Sequence, residues 1–313
     1  MQSVKPTRIL LLILCLAVPS ALVFSEGSDD ITAVSARKSA DYVRARLPDG
    51  TFKPESYVFG NGGTWTGALQ DFSIDKVTFL DVAHTIAYPL ADKKYLPSKD
   101  PKTTQLLIMV YWGTTHAPEH ANESVNYQLV QSIHSQFLAA SVLANGRPGV
   151  SSSGRGGSGA EKIVADQLND EMMSVLDSVK AEDAMRDKQN ELNAMMLGYD
   201  SWWDATQRYA GTPLDVQRQD MIDELELNRY FVVLMAYDFQ ILWKDKKHKL
   251  LWETRFSIRQ NHHEFDKDLP AMAQYASKFF GQDSNGLVHT LVPLGHVEIG
   301  NMESLGETDA PKK

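Results

Sequence analysis

The chain has 313 residues, 43% hydrophobic and 23% charged, which is enough apolar material for one sizeable core or two small ones. Forty acidic against 31 basic side chains give a formal charge of −9, and such a surface repels phosphate backbones and anionic lipid, which argues against nucleic acid as a partner. The single cysteine, Cys15, excludes a disulfide framework, and no apolar run beyond residue 25 is long enough to span a bilayer.

At the N-terminus, Lys5 and Arg8 precede the unbroken apolar stretch Ile9 to Val18, and Val23-Phe24-Ser25 supplies small residues at the −3 and −1 positions of a cleavage site. This pattern predicts a signal peptide over residues 1–25, with an uncleaved anchor as the alternative. Leu12-Ile13-Leu14-Cys15 is a poor lipid-attachment site because the bulky Leu14 stands where a small residue is needed. Cleavage would leave no thiol at all, which removes cysteine nucleophiles and suits an oxidising compartment, so the expected location is periplasmic or secreted.

Residues 26–35 are polar and are expected to form a loose lead-in. The stretch 51–60 reads as a strand that Gly60-Asn61-Gly62-Gly63 ends. Thr78 with Asp81 forms a capping-box-like start, followed by Val82, Ile86 and Leu90 on one helical face, and Pro89 is expected to kink or shorten that helix. His84 is assigned to the core or its margin. Residues 106–112 are apolar on both faces, the mark of an interior strand, and 125–144 carry helical spacing.

Residues 145–160, "NGRPGVSSSGRGGSGA", form a Gly/Ser linker. Gly154 to Gly159 has the gap of a phosphate loop, but Ala160 and Glu161 stand where Lys and Ser/Thr must be. The stretch 160–197 lacks Pro and Gly and reads as a long helix or a broken pair; Gly198 and Gly211-Thr212-Pro213 punctuate two further helical pieces. Residues 229–243 and 250–259 are expected to pair as an antiparallel hairpin around "KDKKHK". Asp268 is assigned as the cap of a helix with Pro270 in its first turn and Gly281 as its stop, and 288–300 alternates weakly as an edge strand. The tail, 301–313, is expected to be disordered.

This order predicts an α/β chain: a mixed, largely antiparallel sheet with packed helices, built from residues 26–144 and 229–300, with a helical insertion over 161–228. The blocks "FKPESYVFG", "VAHTIAYPLADKKYLPSKDPKTTQLLIMVYWG", "FQILWKDKKHKLLWETRFSI" and "LPAMAQYASKFFG" resemble a bacterial envelope family of unknown function, many of whose members are lipoproteins. Within them Leu90-Ala91-Asp92-Lys93-Lys94-Tyr95 and Leu250-Leu251-Trp252-Glu253-Thr254 match its short motifs. The resemblance implies an exported α/β sheet domain and carries over no catalytic residue. This chain departs from the family in lacking the lipid-bearing cysteine and in the length of its insertion.

The chemistry-bearing residues are few. His116, Glu119 and His120 have the His-x-x-Glu-His spacing of a zinc hydrolase, which needs both histidines one turn apart on a helix. Pro118 between them disfavours that helix, and the competing reading is a solvated loop with incidental histidines. His262-His263-Glu264 lie in a polar loop where adjacent histidines point apart. Trp202-Trp203 and Tyr199 read as core anchors. No Gly-x-Ser-x-Gly elbow occurs, so no catalytic residue, metal or cofactor is assigned. Trp112, Thr114, Thr115 and His116 remain as ligand-contact candidates, because ligands gather beyond the strand ends of α/β sheets. The functional expectation is a non-catalytic envelope protein of binding or assembly, with an envelope protein or small ligand as partner; a metal-dependent hydrolase built on His116, Glu119 and His120 is the alternative.

Overall fold

The structure is a computed structural model that describes residues 31–65, 71–145, 159–208, 212 and 215–291. The proposed signal peptide, most of the Gly/Ser linker and the C-terminal tail lie outside the described residues. In chain order the elements are β1 (Ile31–Lys38), β2 (Glu55–Trp65), α1 (Phe72–Asp75), α2 (Phe79–Asp92), β3 (Tyr95–Pro97), β4 (Leu106–Thr114), α3 (Val125–Asn145), α4 (Gly159–Leu197), α5 (Asp200–Gln207), α6 (Asp215–Leu225), β5 (Arg229–Asp238), α7 (Phe239–Asp245), β6 (Leu250–Arg259), α8 (Phe265–Ala276) and β7 (Leu287–Leu291). The seven strands form one mixed sheet in the order β3-β2-β4-β5-β6-β1-β7. β2 runs parallel to both β3 and β4, and every other pairing is antiparallel. The α/β class is therefore as the sequence predicts.

Period-two alternation splits the sheet into two faces. Val34, Ile108, Val110, Trp112, Val232, Leu234, Trp252 and Phe256 point to a large core covered by α1, α2 and α8. Ala33, Phe231 and Val233 point to a smaller one, closed by the C-terminal end of α4 with α5 and α6. Tyr199 and Trp203 are buried there as anchors, while Trp202 stays partly exposed. Among the described residues no helix is long and apolar enough to cross a membrane.

Six expectations about these elements need correction. The supposed lead-in is β1 from Ile31 onward, paired with β6 on one side and β7 on the other; its small residues Thr32, Ala33, Ser35 and Ala36 hide a buried strand because they carry little hydropathy. β2 does not stop at Gly60 but runs to Trp65, with a bulge between Asn61 and Gly63, where Gly63 takes φ +107°. Gly60 and Gly62 leave room for the Met109 and Tyr111 side chains of β4.

Residues 239–245 are helix α7, not strand, because the Asp238 side chain accepts a hydrogen bond from the Ile241 amide and caps it. α8 begins at Phe265, three residues before the assigned cap; the Asp268 carboxylate instead reaches back to the Glu264 amide at 2.9 Å. His84 is exposed, edge-on to Tyr88, rather than in the core. Pro89 is buried in the last turn of α2, where the helix continues to Asp92.

Candidate functional site

The sheet end at which β4 and β6 finish and β5 begins opens into a cleft of about 900 Å³. Three segments border it: Asp71 to Lys76 with α1, the turn Glu226-Leu227-Asn228 before β5, and the loop Gln260 to Glu264 after β6.

One hydrogen-bonded knot forms the floor. Asp71 caps α1 through the Ser73 amide at 2.8 Å, and its other carboxylate oxygen accepts from Gln260 Nε2 at 2.6 Å and from the Tyr230 hydroxyl. Ser73 Oγ lies 2.9 Å from the Tyr230 hydroxyl and accepts from the Phe265 amide at 3.1 Å. Four elements are thereby tied at one point: α1, β5, the end of β6 and the start of α8. Burial works to raise the Asp71 carboxyl, yet hydrogen bonds from Tyr230, Ser73 and Gln260 outweigh it and hold it below the usual carboxylate range. Burial, aided by the adjacent Asp71 carboxylate, pushes the Tyr230 hydroxyl up to about 12. Near neutral pH this pair therefore stays carboxylate and phenol.

At the mouth the balance changes. Lys76 is engaged by Asp266 at 2.7 Å. Arg259 is exposed, and its guanidinium has no hydrogen-bond or ion-pair partner among the described residues. Phe72, 79% exposed, sets an apolar ring at the same rim. The His263 imidazole pairs through Nδ1 with Asp268 at 3.0 Å, which orients a second ring beside the cleft.

The four ligand-contact candidates do not gather around this space. Trp112 is buried against Phe79 in the large core. Thr114 is a ladder residue opposite Tyr230. Thr115 is 1% exposed and prolongs the β4–β5 pairing: its amide donates to the Arg229 carbonyl at 2.9 Å, and its hydroxyl accepts from the Arg229 amide at 2.9 Å. His116 is exposed, and its carbonyl accepts from Asn193 Nδ2 at 2.8 Å.

Residues 115–120 are irregular backbone, so His116 and His120 do not share a helical face. His120 Nδ1 instead meets Glu226 at 3.0 Å, while Glu226 also accepts from Asn190 at 3.0 Å and lies 3.6 Å from Arg186 Nε. Glu119 is exposed. Among the described residues no three His, Cys, Asp or Glu side chains are grouped to hold a metal ion.

The sequence reading named the His262-His263-Glu264 loop without placing it at a cleft, and it missed Asp71, Ser73, Tyr230 and Arg259. The missed signal was positional: Gln260 and the residues after it follow an interior strand's end in the same way as Thr114 to His116.

Behind the cleft, beneath β5, lies a buried ion cluster. Arg229, 1% exposed, meets Glu224 at 2.9 Å and donates through Nε to Ser257 Oγ at 3.1 Å. Glu224 also accepts from the Tyr199 hydroxyl at 2.8 Å and pairs with His289 at 3.1 Å. Burial opposes ionisation of Glu224, but the hydrogen bond from His289 and the charge of Arg229 overcome it and bring its carboxyl down to about 2. This cluster locks α6 to the sheet and so fixes the turn at Glu226 to Asn228.

Comparison with known proteins adds no relative to this geometry: no family model matches the chain, and no curated protein is significantly similar to it in sequence.

Proposed function

We propose that this chain is an exported, non-catalytic protein of the cell envelope, periplasmic or secreted, that works by binding. The leader-like N-terminus, the envelope-family blocks and the thiol-free sequence after residue 15 support the location. The binding reading rests on one observation: the cleft pairs a floor whose polar groups are already satisfied with a single open guanidinium, Arg259, at its mouth. A satisfied floor holds shape without reacting, and an open guanidinium beside an exposed Phe72 suits a ligand carrying a carboxylate next to an apolar group.

Short peptides with an apolar C-terminal residue supply that chemistry. Isothermal titration should show heat with N-acetylated tripeptides ending in a free carboxylate and much less with their C-terminal amides. Arg259→Gln should weaken the carboxylate form roughly tenfold or more, since a charge-assisted hydrogen bond contributes about 1.5–3 kcal/mol. Equal binding of acid and amide, or no loss in the variant, would remove Arg259 from the site.

A further inference from the structure

α7 buries none of its residues, although four of its first five, Phe239, Ile241, Leu242 and Trp243, are apolar, and Trp243 is 42% exposed. Fraying does not account for this, because both ends are capped. The Asp238 side chain accepts from the Ile241 amide at 3.0 Å, and Lys246, in the left-handed region at φ +56°, donates its amide to the Leu242 carbonyl at 3.1 Å. Gln240 fastens the helix to the loop 98–105, donating to the Pro101 carbonyl at 2.9 Å and the Thr104 carbonyl at 2.7 Å. An apolar turn is thus held rigidly at the end of the sheet where β4 and β6 begin and β5 finishes.

Its surroundings are basic. The loop 98–105 and residues 238–249 together carry six lysines against three aspartates, in a chain whose net charge is −9. Asp238 and Asp100 are turned to backbone amides, of Ile241 and Lys102 respectively. Lys249 pairs with Asp41. Lys99, Lys102, Lys244, Lys246 and Lys247 are exposed and have no ion-pair partner among the described residues.

Charge and apolar surface together select the occupant. A soluble polyanion matches the lysines but leaves Trp243, Ile241 and Leu242 in water, whereas the headgroup layer of an anionic bilayer takes up both, as it does with interfacial helices. The net negative charge does not oppose this contact, because the acidic excess lies elsewhere. α4 carries nine acidic against four basic residues and is fastened at the cleft end, where Asn193 donates to the His116 and Leu225 carbonyls. Salt confines charge interactions to about 8 Å, and β4 separates the two ends of the sheet by about 30 Å.

We propose that α7 and the lysines around it dock this chain on an anionic phospholipid surface, with Trp243 entering the headgroup layer and the five open lysines facing the phosphates. The cleft, at the other end of the sheet, then opens away from the bilayer. This docking does not depend on what the cleft binds.

The test uses the mature chain that cleavage after Ser25 leaves, so that the apolar leader cannot insert on its own. It should co-sediment with vesicles of equal parts phosphatidylglycerol and phosphatidylcholine, much less with pure phosphatidylcholine, and less again as salt rises. Lys102→Gln, Lys244→Gln and Lys247→Gln together should weaken binding about a hundredfold, a factor of about five for each lysine near such a surface. Trp243→Ala should weaken it roughly tenfold, with an unchanged circular dichroism spectrum. Equal binding to both kinds of vesicle, or no loss in the lysine variant, overturns the proposal. So does full binding by Trp243→Ala, which together with tight binding to polyphosphate would mark a site for soluble polyanions instead.

Discussion

Arg229 opens a strand in the sequence and looks like an ordinary solvated terminus of an apolar run. In the structure it is 1% exposed and shares Glu224 with Tyr199 and His289. Breaking such a pair from one side leaves a buried charge uncompensated, so Arg229→Met should destabilise the fold by about 3–5 kcal/mol. Chemical denaturation should show that loss, and combining Arg229→Met with Glu224→Gln should recover a large part of it. The same carboxylate carries a pH dependence. Its folded-state value, about 2, lies below its ordinary 4.5. The stabilisation it contributes is therefore complete above the ordinary value and is lost as pH falls through that window toward 2, up to about 3 kcal/mol in all. Denaturation midpoints measured from pH 6 to pH 2.5 should fall less steeply for Glu224→Gln than for the parent chain. None of this was legible beforehand, because the four partners come from the turn before α5, from α6, β5 and β7, and no local pattern joins them.

Elements with strong periodicity were the legible ones. α2, with its Thr78–Asp81 box, and β4, apolar on both faces, lie where the pattern places them. Elements defined by backbone fit were not. β2 passes through three glycines, which a propensity reading takes for a stop; the missing Cβ atoms of Gly60 and Gly62 make room for Met109 and Tyr111 of β4, and Gly63 supplies the positive φ of the bulge. Gly113 shows the same logic from the other strand, since a Cβ there would collide with the Trp65 carbonyl oxygen, a backbone atom that cannot swing aside. Gly113→Ala should therefore cost about 1–3 kcal/mol, and hydrogen exchange should quicken at the β2–β4 ladder before it does at β5–β6. The start of α7 was missed for a different reason: Asp238 ends one element and caps the next, and a continuous apolar run conceals that handover. Of the residues singled out at the end of β4, Thr114 and Thr115 build the β4–β5 ladder, a role that depends on the partner strand and is invisible in local sequence.

For the molecule as a whole, the sheet carries two unequal layers, and its open strand-end cleft is bordered by segments from three separate parts of the chain. Among the described residues β1 is the earliest strand, yet its two neighbours are β6 and β7, the latest. A ribosome or a translocation pore delivers the N-terminal end first, so β1 must wait without its neighbours until almost everything else has arrived. Only the β2-β3-β4 half, whose strands are joined by the short α2 crossover, can form while the rest is still being fed out. Final closure is therefore a late event, and a chain caught before it exposes the bare flank of β6 to whatever strand comes by.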